Sequence, residues 1–216
     1  GVETWVRSLR RSSFTLGYEV FDESAEGRTT YVRASTVLVP YDLAAGYPRR
    51  VRPSEQAVLE GYLDPDGPAV RTRSKPSPPA PGSPGKVHVY LARVRWDDLD
   101  AYKHVNNVVY LEYFQEARID LALKARVTRL APHEGTVVGH QEIDYKRPVP
   151  FRTAPLEIHA WVTRMGRSSY TVAYEVRDGD TLFATGSSTQ VGVDLTTGRP
   201  RPFLDRERAL LEDYHR

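Results

Sequence analysis

A chain of 216 residues, 40% hydrophobic and 27% charged, has the composition of an ordered globular protein with enough apolar side chains to bury a core. It has no cysteine, which excludes disulfides, thiolate metal sites and a cysteine nucleophile, and fits a cytoplasmic location. A formal charge of +2 with dispersed arginines gives no concentrated basic face for nucleic acid, and no stretch approaches the roughly 20 apolar residues of a membrane helix.

Phe14, Leu16, Tyr18 and Val20 alternate with smaller or more polar neighbours, the period-2 pattern of a strand with one buried face. Residues 64–86 are dense in Pro, Gly and Ser and read as an extended linker. Val87, Val89 and Leu91 open another strand. From Asn107 to about Lys124 the spacing predicts a helix, with Tyr110, Phe114, Ala117 and Leu121 on one face and Asn106 or Asn107 as its N-cap. Strands follow at Val137 to Tyr145, Leu156 to Arg164 and around Tyr170, Val172, Tyr174 and Val176. Asp178-Gly179 signals a hairpin into a last strand, 181 to 193, before a short terminal helix.

The chain also repeats itself. Residues 6–22 lie over 162–178 with nine of seventeen positions identical, and 31–62 lie over 183–214 with twelve of thirty-two identical. The first copy has no counterpart of residues 87–150. The expected organisation is the C-terminal half of one unit at 1–63, the linker at 64–86, and a complete second unit at 87–216. A long helix wrapped by an antiparallel sheet is an α+β arrangement. A bare apolar sheet face is costly, so the first copy is expected to be completed by roughly 70 to 90 further residues upstream or by another chain.

The run Val94-Arg-Trp-Asp-Asp-Leu-Asp-Ala-Tyr-Lys-His-Val-Asn-Asn107 resembles the hotdog-fold acyl-CoA thioesterases of the 4-hydroxybenzoyl-CoA thioesterase superfamily, as do Ile143-Asp-Tyr-x-Arg-Pro148 and Gly166-Arg-Ser-Ser169. The likeness covers roughly residues 87–200. It implies a tandem hotdog with an incomplete first unit, a site where two hotdog units meet, and hydrolysis of medium- to long-chain fatty acyl-CoA. Coenzyme A is then part of the substrate, no cofactor is needed, and the protein is expected to be a homo-oligomer of tandem units. Tyr102 stands where plant acyl-carrier-protein thioesterases carry Asn, which favours coenzyme A as the thiol carrier.

Thioester hydrolysis needs an activated water or a nucleophile, and donors aimed at the oxygen that becomes an oxyanion. A carboxylate just before a helix start supplies the first beside the second. Asp100 is therefore the base or nucleophile. By the resemblance the N–H near Asn107 is the oxyanion donor, and His104 and Asn106 orient the carboxylate or the thioester. Tyr102, Tyr110, Arg147, Arg167, Ser168 and Ser169 are the candidate substrate contacts, the last three toward the pantetheine or phosphates. Asp97 and Asp98 read as solvated turn residues. The alternative to an enzyme is a non-catalytic hotdog that binds acyl-CoA as a sensor.

Overall fold

The computed structural model describes residues 1–42, 45–70, 85–124 and 133–216 and divides the chain into two compact units, Gly1–Arg73 and Ser74–Arg216. The expected linker lies mostly outside the described residues, at 71–84, as does Leu43 of the repeat. Its first residues return to the first unit, where the Asp64 N–H donates to the Val6 carbonyl.

In the second unit the alternating stretches become five antiparallel strands: β6 (His88–Ala92), β7 (Glu134–Tyr145), β8 (Leu156–Met165), β9 (Ser169–Asp178) and β10 (Thr181–Asp194). They are ordered β6-β8-β9-β10-β7. Gly179, at φ +54°, makes the turn expected at Asp178-Gly179. Between β6 and β7 runs the long helix α2 (Val109–Lys124), and α3 (Asp205–Glu212) closes the chain. The helix starts two residues later than its apolar spacing predicts, because the Asn106 side chain and carbonyl hold the two preceding residues in a turn.

One face of α2 is buried: Tyr110, Tyr113, Phe114, Ala117 and Leu121 join Leu156, Ile158, Val172, Tyr174 and Val176 in a single core. Phe114, fully buried, stacks on the Tyr174 ring with centroids 4.4 Å apart and planes 9° from parallel. Gly186 on β10 makes that approach possible. A Cβ there would overlap the Phe114 ring and lie 2.7 Å from the Glu142 carbonyl oxygen.

The first unit has β1 (Val2–Leu9), β2 (Phe14–Ser24) and β3 (Gly27–Leu38) in an antiparallel sheet of that order, a small hairpin β4 (Tyr41–Asp42) and β5 (Tyr47–Pro48), and the helix α1 (Pro53–Glu60). Its pairing follows that of β8, β9 and β10 residue for residue. Val6 pairs with Leu16 as Val162 pairs with Val172, and Phe14 with Leu38 as Tyr170 with Gln190. The register breaks also coincide, after Val6 and Val162 in one strand pair and after Val20 and its counterpart Val176 in the other. Arg49 grips Glu55 beside α1 as Arg201 grips Glu207 beside α3.

The two sheets differ in what lies on them. Val20 and Val32 are exposed, whereas their counterparts Val176 and Ala184 are fully buried in the α2 core. A groove of about 580 Å³ in the first unit is lined by Phe14, Leu38, Val51, Val58 and Leu59. In the second unit the counterpart of Val51 is Phe203, whose ring packs 5.4 Å from Tyr170.

Candidate active site

The chemistry-bearing motif folds as a short hairpin laid against the N-terminal end of α2. After β6 the chain makes one 3₁₀ turn, Trp96–Asp98, and then closes on itself. The Asn106 N–H donates to the Asp98 carbonyl and the Asp100 N–H to that of His104, both at 2.8 Å, with Leu99 opposite Val105. Lys103 completes the turn in the left-handed region, at φ +61°. The hairpin is fixed to the segment after β7 by the Val105 N–H, which donates to the Val149 carbonyl, and by a bridge from His104 to Pro150.

Asp100 sits at the tip, half-buried. One carboxylate oxygen, Oδ1, accepts the N–H groups of Tyr102 at 2.8 Å and His104 at 3.2 Å, which fixes the orientation of the carboxylate. Asn106 accepts the Val108 N–H on its side-chain oxygen and the Val109 N–H on its carbonyl, so it leads the chain into the helix. The Asn107 N–H meets no acceptor among the described residues. The Asn107 carbonyl accepts the Tyr145 hydroxyl at 2.7 Å, tying the helix entrance to the end of β7. These amides lie at the positive end of the helix dipole, where a developing anion is favoured.

The remaining candidates divide by position. Tyr102 is exposed beside Asp100. Arg147 is exposed at the same end of the sheet, where its N–H donates to Phe183. Tyr110 is only 2% exposed, packed edge-to-face on Tyr145 at 5.2 Å, so its ring belongs to the core beneath the site. Burial, then the neighbouring Tyr145 and the Asp100 charge, push its hydroxyl up to about 12. Arg167 and Ser168 form the turn between β8 and β9 and Ser169 opens β9, at the opposite end of the sheet from the Asp100 hairpin. Along a ten-residue strand that is about 30 Å from Asp100. The second unit by itself does not bring them to the carboxylate.

Asp98 is not a solvated turn residue. It is 2% exposed, and its carboxylate accepts the Arg95 N–H at 2.8 Å and the Tyr113 hydroxyl at 2.7 Å. No sequence pattern links Asp98 to Tyr113, because Asp98 lies outside the helix that carries Tyr113. Tyr145 lies in the Ile143-Asp-Tyr-x-Arg-Pro148 segment and at the end of a strand, neither of which points to its contact with Asn107.

A five-stranded antiparallel sheet wrapped on one long helix defines the hotdog fold. The family model of the thioesterase-like superfamily matches residues 94–209, and the chain belongs to that superfamily. The uncharacterized protein YsmA of Bacillus subtilis is 33% identical over 121 residues, 55% of this chain and 80% of that protein. Among solved structures, the Pseudomonas aeruginosa protein PA2801, a putative thioesterase, is 30% identical with a TM-score of 0.53, over 56% of this chain and 95% of its own. A thioesterase-superfamily protein from Jannaschia is 26% identical with a TM-score of 0.58, over 65% and 99%. Among the described residues, no helix is long and apolar enough to cross a membrane.

Proposed function

We propose that this protein hydrolyses fatty acyl-CoA of medium to long chain to the free acid and coenzyme A, with Asp100 as the reacting carboxylate and the Asn107 N–H as oxyanion donor. The observation that carries this reading is the pairing of the two. Asp100 is held by one oxygen, leaving the other for chemistry, and the same hairpin ends at a helix entrance whose Asn107 N–H has no acceptor among the described residues. Attack on the carbonyl carbon moves an electron pair onto the thioester oxygen, and donors already in place stabilise that charge without reorganising.

Two routes fit this geometry. In one, Asp100 takes a proton from a water that attacks the carbonyl carbon. In the other, Asp100 attacks directly, the C–S bond breaks to release the thiolate, and water attacks the Asp100 carboxyl carbon of the mixed anhydride, releasing the fatty acid. Single turnover in ¹⁸O-labelled water distinguishes them, because label enters the Asp100 carboxylate only by the second.

The coenzyme A end of the substrate would meet Arg167, Ser168 and Ser169 contributed by the second unit of another copy of this chain. Steady-state hydrolysis of an acyl-CoA series with a free-thiol readout tests the assignment. Asp100→Asn should abolish turnover and leave binding of acyl-CoA intact. A wild-type protein that binds acyl-CoA and turns over no chain length is a sensor, and the enzyme reading then fails.

A further inference from the structure

Asp98 is a buried carboxylate with no part in the chemistry just described. Burying an ionised carboxylate costs several kcal/mol unless hydrogen bonds replace its water. Here Oδ2 accepts the Arg95 N–H and the Tyr113 hydroxyl, and Oδ1 accepts the Arg95 Nε–H at 3.1 Å. Tyr113, itself 4% exposed, stands one turn inside α2. Burial and the adjacent carboxylate raise its hydroxyl far above the usual tyrosine range, so it remains a donor. The backbone carbonyl of Asp98 in turn receives the Asn106 N–H that closes the hairpin.

Three parts of the site therefore meet at one residue: the 3₁₀ turn that enters the hairpin, the strand that leaves it for the helix, and the helix itself. Asp100 is only two residues along, and its carboxylate is fixed to the hairpin rather than to α2. What relates the reacting oxygen to the Asn107 N–H is then the attachment of the hairpin to the helix. A misplacement of about 1 Å between reacting groups costs on the order of a hundredfold in rate.

We propose that Asp98 and Tyr113 are positioning residues that hold the Asp100 hairpin at a fixed place relative to the first turn of α2. The consequence for rate rests on the function proposed above, whereas the positioning itself does not. The test is Tyr113→Phe, which keeps the ring and removes one hydrogen bond, with the near-isosteric Asp98→Asn as a second variant should the first not fold.

Amide hydrogen exchange by NMR is read at Asp100 and Asn106, whose N–H groups close the hairpin, and at Val172 and Tyr174 in the core of β9. The expected result is exchange about tenfold faster or more at the hairpin amides with the β9 amides unchanged, since a local opening leaves the sheet intact. In acyl-CoA hydrolysis, kcat should fall by about tenfold or more with KM within about threefold, the mark of an interaction that matters in the transition state. Hairpin amides that exchange as in wild type, or hairpin and β9 amides that speed up together, overturn the positioning role. Faster hairpin exchange with unchanged kcat overturns its link to catalysis. If the wild type hydrolyses no thioester, the proposed function fails and the exchange comparison still decides whether Asp98 and Tyr113 hold the hairpin.

Discussion

Glu207→Gln should be among the more damaging single changes to the second unit although it lies outside the site. The Glu207 side chain is 2% exposed and that of Arg201 13%. The carboxylate accepts two guanidinium N–H groups at 2.8 and 2.7 Å and the Leu204 N–H at 2.7 Å, at the start of α3. An amide in its place offers one acceptor oxygen to these three donors and turns an NH₂ toward at least one of them, leaving a largely buried guanidinium without its counter-charge. Removing one partner of a buried pair costs about 3–5 kcal/mol, and the oxygen that Gln retains puts this case near 3 kcal/mol. For a chain of this size that is a fall in Tm of about 10 °C, measurable by calorimetry, with urea unfolding followed by circular dichroism giving the free energy directly. Glu55→Gln is the internal control, because Arg49 and Glu55 make the same bidentate pair beside α1 with Glu55 36% exposed. Its effect should be clearly smaller. Equal losses for the two variants, or a loss under about 1 kcal/mol for Glu207→Gln, would refute the reasoning from burial.

Gly186→Ala should destabilise by about 1–3 kcal/mol through overpacking, because the added methyl group meets the Phe114 ring and the Glu142 carbonyl. Urea unfolding measures it, and Phe114→Leu in the same background should recover part of the loss. Stability should also fall in acid. The Arg49 side chain first, then the Arg52 N–H, pull the Glu55 carboxyl down to about 2. Burial pushes Glu207 up, but Arg201 and the Leu204 N–H outweigh it, so this carboxyl too lies below its ordinary value. Groups depressed in the folded state contribute fully above the unfolded glutamate range and lose that contribution as pH falls through the folded value. The urea midpoint should therefore drop as the pH is lowered from about 4.5 toward 2, and Glu55→Gln with Glu207→Gln should flatten that dependence.

Much of the fold was legible because its signals are local. Alternation at Tyr170, Val172, Tyr174 and Val176 has the period of a strand and Asp178-Gly179 is a tight-turn pair, although β9 turns out to be buried on both faces, at Ala173 and Glu175 as well. Tyr110, Phe114, Ala117 and Leu121 kept one helix face. The strand order was not legible, because β6 pairs with β8 and β7 with β10 through contacts far apart in the chain. Within the site, Asp100 and the helix entrance were contiguous in the motif and could be read together. The burial of Asp98 was not legible because it depends on Tyr113, fifteen residues away, folding over it. Tyr110 stands both on the apolar helix face and among the candidate substrate contacts, and the structure puts its ring in the core. Its packing on Tyr145 involves a strand that arrives thirty-five residues later. Arg167, Ser168 and Ser169 were grouped with the site by resemblance alone, and one unit's sheet length separates them from it.

The matched registers of the two sheets make the chain its own reference molecule. Where both copies keep a residue, as at Tyr18 and Tyr174 or Glu55 and Glu207, the sheet and its flanking helix ask for it in either setting. Where they part, Gly186 stands against Ala34 where Phe114 of α2 presses closest, and Phe203 against Val51 where one unit fills the space that the other leaves as a groove. Exchanging such pairs between the copies would separate the requirements of a strand from those of the helix above it, within one polypeptide and under one set of solution conditions.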